Sequence, residues 1–250
     1  AGWFQKEYKV SLWMTRTAWL TARMLRLDEQ EVPPPETIEF WTQAGMCSDI
    51  MEERKSGKPF NFADAVSALP LGFRRIVDNE EIEIGNRIWK VRVGNGHAPE
   101  HATLWSNVDD IVIAGDQIIS SISPNLGVYA TEPNANPVKE WIDTCHKLSA
   151  FASDKHLTLP GHKLPFTGLK FRLKQMVENH ELALNRLVNF LEKPHTAEEC
   201  FSILFGKSIQ KSEYGLALVE AVAHVNYLYL EGTVSRVLDK NGAFRYQALS

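Results

Sequence analysis

The apolar positions of the chain change period twice. From Thr15 to about residue 70 they recur at helical spacing. "TRTAWLTARMLRL" sets Trp19, Leu20, Met24 and Leu27 on one face behind a capping Thr15 or Thr17. "EVPPPETIEFWTQAGM" halts one helix with its prolines and starts another that carries Ile38, Phe40 and Trp41 and ends near Gly45. "CSDIMEERKSGKPFNFADAVSAL" predicts further short helix broken at Ser56-Gly57.

The period then drops to two. "FRRIVD", "EIEIG" and "RIWKVRVG" alternate apolar and polar residues with turns between them, predicting half-buried strands whose core face is supplied by Ile82, Ile84, Ile88, Val91 and Val93. "ATLWS" and "DIVIAGD" predict two more, the second so apolar that burial on both faces is expected. An amphipathic helix, "NPVKEWIDTCHKLSAF", leads to a short strand, "HLTLPGH". From Phe166 onward the pattern is helical again, through Leu173, Met176, Leu184, Leu187, Val188 and Leu191. Next come a Thr196–Glu199 capping pair, a helix in "SEYGLALVEAVAHVNYLYLEG" and a hairpin turning at Lys240-Asn241-Gly242.

Composition narrows the function classes. A formal net charge of -4 over 250 residues gives no basic face for nucleic acid, and no apolar run approaches the roughly 18 residues needed to cross a bilayer. Cys47, Cys145 and Cys200 are too few and too scattered for a disulfide framework, so a reducing cytoplasm is the expected location. The first residues, Ala1-Gly2-Trp3, already lie in a helical pattern (Trp3, Phe4, Tyr8, Val10), which suggests the back part of a longer protein.

Three strand-end positions carry the candidate chemistry. His97 follows Gly96 after one strand, Asp116 follows Gly115 after another, and His162 follows Gly161 after a third. Residues just past strand ends gather at one edge of a layered α/β sheet, and a preceding glycine lets the chain turn sharply there. Two imidazoles and a carboxylate are ligands suited to zinc, iron or manganese, and a carboxylate can bridge two metals.

"GNGHAPEHATLW", "DDIVIAGDQIIS", "ISPNLGVY" and "LTLPGHKLPF" resemble the later motifs of the metallo-β-lactamase superfamily, in its glyoxalase-II-like and lactamase-B2-like branch. The resemblance spans roughly residues 70–250, with residues 1–30 similar to the helix and strand that follow the family's first motif. It implies an α/β (α+β) fold, the C-terminal part of an αββα sandwich with a helical, winged-helix-like tail. It also implies His97, Asp116 and His162 as ligands of two divalent metal ions, with His101 supporting their loop by hydrogen bonding. The family's first motif, His-x-His-x-Asp-His, supplies the remaining ligands and the general base. It is absent here, since no two histidines are separated by one residue. No catalytic residue is therefore expected within this chain, and little or no metal or activity for it alone. The intact protein would hydrolyse an ester, thioester or lactone-like bond of a small-molecule substrate.

Other candidates follow from position. Asn125 and Tyr129, in the loop after Asp116, are expected to contact substrate. His180, His195 and His224 lie in helical or capping contexts, with His224 expected as a satisfied interior residue; His146 and His156 lack partners by spacing. The aromatics Trp13, Trp19, Phe40 and Trp41 are expected to pack as core, with an overhang above the metal cleft as the other reading. The expected division is a metallo-β-lactamase-like domain over 1–165, with a helical insert at about 15–70, and a winged-helix-like module over 166–250. The terminal hairpin has Arg236, Lys240 and Arg245 against Asp239, too little charge for a nucleic-acid footprint, so packing or homodimerisation is its expected role. A non-catalytic interaction module and a metal-dependent ribonuclease stand as the competing functions.

Overall fold

The computed structural model describes residues 1–249 and is a mixed α/β protein. In chain order the elements are α1 (Gly2–Tyr8), β1 (Trp13–Met14), α2 (Arg16–Leu27), α3 (Pro35–Gln43), α4 (Ser48–Ser56), α5 (Phe62–Ala65), β2 (Arg74–Arg75), β3 (Glu81–Ile84), β4 (Arg87–Gly94), β5 (His101–Ser106) and β6 (Ile111–Gly115). They continue with α6 (Pro137–Ser149), β7 (Leu157–Pro160), α7 (Leu169–Phe190), α8 (Phe201–Phe205), α9 (Tyr214–Leu230), β8 (Val234–Leu238) and β9 (Phe244–Ala248).

The contacts divide these elements into two compact units that interleave along the chain. The first unit takes residues 1–31, 59–124 and 144–174; the second takes 32–58, 125–143 and the chain from Gln175 onward. This is not a linear cut near residue 165. The proline-started α3 and α4 join the C-terminal helices, because the Glu198 amide donates to the Ala44 carbonyl (3.1 Å) and the Cys47 amide to the Tyr214 hydroxyl (3.3 Å).

In the first unit a five-stranded sheet runs in the order β3-β4-β5-β6-β7, antiparallel except for the parallel β6–β7 pair; β1 and β2 form a separate parallel pair. The register puts Ile82, Trp89, Val91, Leu104, Ile113 and Leu159 on one face, since Ile82 opposes Trp89, Val91 opposes Leu104 and Ile113 lies between Leu104 and Leu159. Ile82, Trp89 and Val91 pack there with Ile76. Two expectations are corrected by this register. Ile88 is an odd number of residues from Val91, so it faces the other way and is exposed, as is Ile84, and Trp89 takes its core place. β6 is not buried on both faces: Val112 and Ala114 are wholly buried, whereas Ile113 between them is 39% exposed.

The second unit is built on α9. Its sequence is apolar nearly all round, and Ala217, Leu218, Val219, Ala221, Val222, Ala223, Val225 and Leu228 are all buried. The Thr196 capping pair forms as its spacing predicts, with the Thr196 amide donating to Glu199 Oε2 (2.8 Å) and the Glu199 amide to Thr196 Oγ1 (3.3 Å). β8 and β9 pair as a hairpin whose turn is tied by Asp239: its Oδ1 accepts from the amides of Asn241 (2.8 Å) and Ala243 (3.1 Å), while Gly242 supplies a positive φ of 82°. Among the described residues no helix is long and apolar enough to cross a membrane.

Candidate metal centre

β4, β6 and β7 of the first unit each end in a candidate ligand, and these meet. Asp116 lies between two histidines: His162 Nδ1 is 2.6 Å from its Oδ1, and His97 Nε2 is 3.8 Å from its Oδ2. Each carboxylate oxygen thus faces a different imidazole. The set is asymmetric in access, with the His162 side chain 68% exposed and those of His97 and Asp116 at 28% and 26%.

Glycine makes this closeness possible at two points. A Cβ on Gly161 would stand 2.6 Å from Asp116 Oδ1, so only a bare backbone fits beside the carboxylate. The Gly161 amide also donates to the Gly115 carbonyl (2.9 Å), joining the ends of β6 and β7. Gly115 has φ 52°, and a Cβ there would meet His101 Cε1 at 2.6 Å. His101 therefore lies against the backbone that delivers Asp116. Its ring is largely buried against that backbone. Burial, and next the neighbouring His97, hold the His101 pKa below the usual imidazole value.

The loop bearing His97 is fixed by residues that local sequence did not mark. The Asn95 amide donates to Thr144 Oγ1 on α6 (3.0 Å), Gln117 Nε2 donates to the Asn95 carbonyl (3.2 Å), and Asn95 Oδ1 accepts from the Glu100 amide (2.8 Å). Gly94 has no room for a Cβ, which would stand 2.5 Å from Thr144 Cγ2. Glu100, at φ 46°, is more than a solvated carboxylate: its Oε2 accepts from the Thr17 amide in the first turn of α2 (2.8 Å), and its carbonyl accepts from Thr15 Oγ1 (2.7 Å). Asn95 between two glycines is the one local signal of a side chain that organises a turn; Thr144 lies 49 residues away and gives none.

Asn125 and Tyr129 fall in the second unit. Asn125 Nδ2 donates to Glu220 Oε2 (2.6 Å) and to the Leu216 carbonyl (3.3 Å), and Tyr129 is 52% exposed with its pKa raised by burial and by Glu220. Burial pushes Glu220 itself up to about 7. The histidines set aside by position behave as interior or capping groups. His224 is buried with Nδ1 2.8 Å from the Glu220 carbonyl, and His180 stacks on it at 5.6 Å and is pushed down to about 3 by burial. His195 stacks on Phe190 at 4.1 Å. Of the aromatics, Trp19 stacks on Phe73 (4.7 Å) and Trp13 lies under Arg74 in the first unit, while Phe40 is buried in the second.

Among the described residues no group of three or more His, Cys, Asp or Glu side chains is arranged to hold one metal ion. In kind, two imidazoles and a carboxylate are donors that divalent metals accept.

The mixed sheet, followed by helices and a hairpin, is the fold of metallo-β-lactamase-like proteins. In sequence and in fold the chain is similar to members of the metallo-β-lactamase superfamily. Residues 184–249 match the family model of the metallo-beta-lactamase-like C-terminal domain. The probable metallo-hydrolase YqjP of Bacillus subtilis (strain 168) is 23% identical over 162 residues, covering 62% of this chain and 49% of that protein, so the chain spans about half the length of the curated relative it matches. A beta-lactamase domain protein from Burkholderia ambifaria is 29% identical with a TM-score of 0.87, over 100% of this chain and 71% of that one. A metallo-beta-lactamase family protein from Thermus thermophilus shares the fold, with a TM-score of 0.74 at 22% identity over 96% of this chain and 72% of that one. Divalent metal use is thereby implied for the family.

Proposed function

We propose that this chain supplies His97, Asp116 and His162 to a dinuclear divalent-metal centre of a hydrolase acting on an ester, thioester or lactone-like bond, with zinc as the first choice of metal. The observation that carries the reading is the Asp116 carboxylate, with His162 on one oxygen and His97 facing the other. Such a pair of metals, when bound, lowers the pKa of a water towards ~7. The chain's own residues position the donors: Gly161 lets the carboxylate approach, His101 fills the space behind Gly115, and the Asn95–Thr144 bond holds the His97 loop. In this reading the remaining ligands come from a His-x-His-x-Asp-His motif, which these 250 residues do not contain. Asn125 and Tyr129 stand as substrate contacts within this reading, and the helical tail as a winged-helix-like packing module in a cytoplasmic protein.

Elemental analysis tests it directly. The 250-residue chain dialysed against zinc is expected to retain well under one equivalent. The same chain with a His-x-His-x-Asp-His-bearing segment joined before Ala1 is expected to retain about two and to lose at least one on Asp116→Asn. Two equivalents retained by the joined chain carrying Asp116→Asn would overturn the assignment.

A further inference from the structure

The second unit contains a cavity of about 370 Å³, a volume in the range of small-molecule sites. Its walls carry both signs of charge. Glu36 and Glu39 lie one turn apart on α3, and Glu39 is held by Gln43 Nε2 at 2.8 Å. Arg236 on β8 also lines it, its guanidinium 4.2 Å from the Tyr229 ring centre and 4.5 Å from that of Phe244. The rings hold this half-buried cation in place without neutralising it, and no carboxylate among the described residues pairs with it.

A second observation is independent of charge. Asn226, 1% exposed, lines the same cavity. Its Nδ2 donates to the carbonyls of Pro133 (2.9 Å) and Ala135 (3.3 Å), which fixes the amide, while its Oδ1 is buried with no partner. A buried acceptor left unmade is costly, and native proteins rarely keep one without a donor to meet it.

Two carboxylates and a guanidinium that no carboxylate neutralises, around one volume, match a ligand with a cationic donor group and an anionic group. We propose that this cavity binds a small zwitterion bearing a primary ammonium and a carboxylate, as a free amino acid or dipeptide does. The ammonium meets Glu36 and Glu39; the carboxylate meets Arg236. The site shares no residue with the His97–Asp116–His162 set and does not depend on metal.

The test is titration calorimetry of the 250-residue chain with L-glutamine, L-leucine and alanyl-leucine, alongside their N-acetyl and carboxamide forms. At least one free zwitterion is expected to saturate with Kd of about 1 mM or tighter. Capping either end is expected to weaken it at least ~10-fold, as are Arg236→Gln and the paired E36Q/E39Q substitution. The two glutamates are exposed, so the paired variant tests the ammonium side even where Arg236→Gln destabilises the hairpin. The proposal is overturned if none of the three zwitterions saturates below about 10 mM, if capped probes bind as tightly as free ones, or if E36Q/E39Q binds like the parent.

Discussion

The two units reach stability by different routes. In the second unit an almost wholly apolar helix is enclosed by others, and Leu187, Leu191, Ala221, Ala223 and Val225 are fully buried. In the first a sheet has one face of uneven burial, with Val91 enclosed and Ile113 and Leu157 about two-fifths exposed, and its irregular strand ends carry the candidate ligands. The contrast teaches where tolerance to substitution should lie: in the helical unit packing dictates residue identity, and in the sheet unit the turn backbone does.

The largest expected effect tests the packed side. Leu187→Ala should cost about 2–5 kcal/mol in denaturant unfolding, against about 1 kcal/mol or less for Ile113→Ala on the sheet. Equal losses would remove the distinction.

The pH response of the helical unit comes next. His180, down at about 3, and His224, lowered by burial, are neutral when folded, so their stability is present above the unfolded value of about 6.5 and lost as pH falls below it. Glu220, raised to about 7, acts oppositely: its contribution is complete below the unfolded value of 4.5 and lost as pH rises through about 7. Two histidines outweigh one glutamate on the acid side, so stability should peak near pH 6.5. Glu220→Gln should flatten the alkaline limb, by under about 1 kcal/mol between pH 6.5 and 7, and an unchanged limb in pH-dependent unfolding would remove Glu220 as its cause.

Gly115→Ala probes the turn backbone. A left-handed φ and contact with the His101 ring should cost about 1–3 kcal/mol, and zinc retention by the joined chain should fall further than it does for Ile113→Ala. The smallest effect is the cap: Thr196→Ala should cost about 1 kcal/mol in thermal unfolding.

Legibility in the sequence followed the same contrast. Period and punctuation located every strand of the main sheet, the hairpin turn and the capping pair, because each is a local signal. Ile88 goes to the wrong face when the alternation is not followed strictly through Trp89. Grouping α3 and α4 with the tail depends on pairs such as Cys47 with Tyr214, 167 residues apart, for which a single chain offers no sign. That His97, Asp116 and His162 come together was legible because each follows a glycine at a strand end. The Thr144 anchor and the Glu100 link were not, since a threonine in a helix and a glutamate in a loop have no distinctive spacing.

Glu100 also has a mechanical meaning. It ties the start of α2 to the loop that carries His97 through two hydrogen bonds at one residue. The helix and the histidine loop are therefore linked as a lever is to its pivot: a displacement of α2 is transmitted to His97, and stiffness in one is stiffness in the other. In hydrogen exchange, Glu100→Ala should deprotect the Thr17 amide, whose acceptor is the Glu100 side chain, and leave the Glu100 amide held by Asn95.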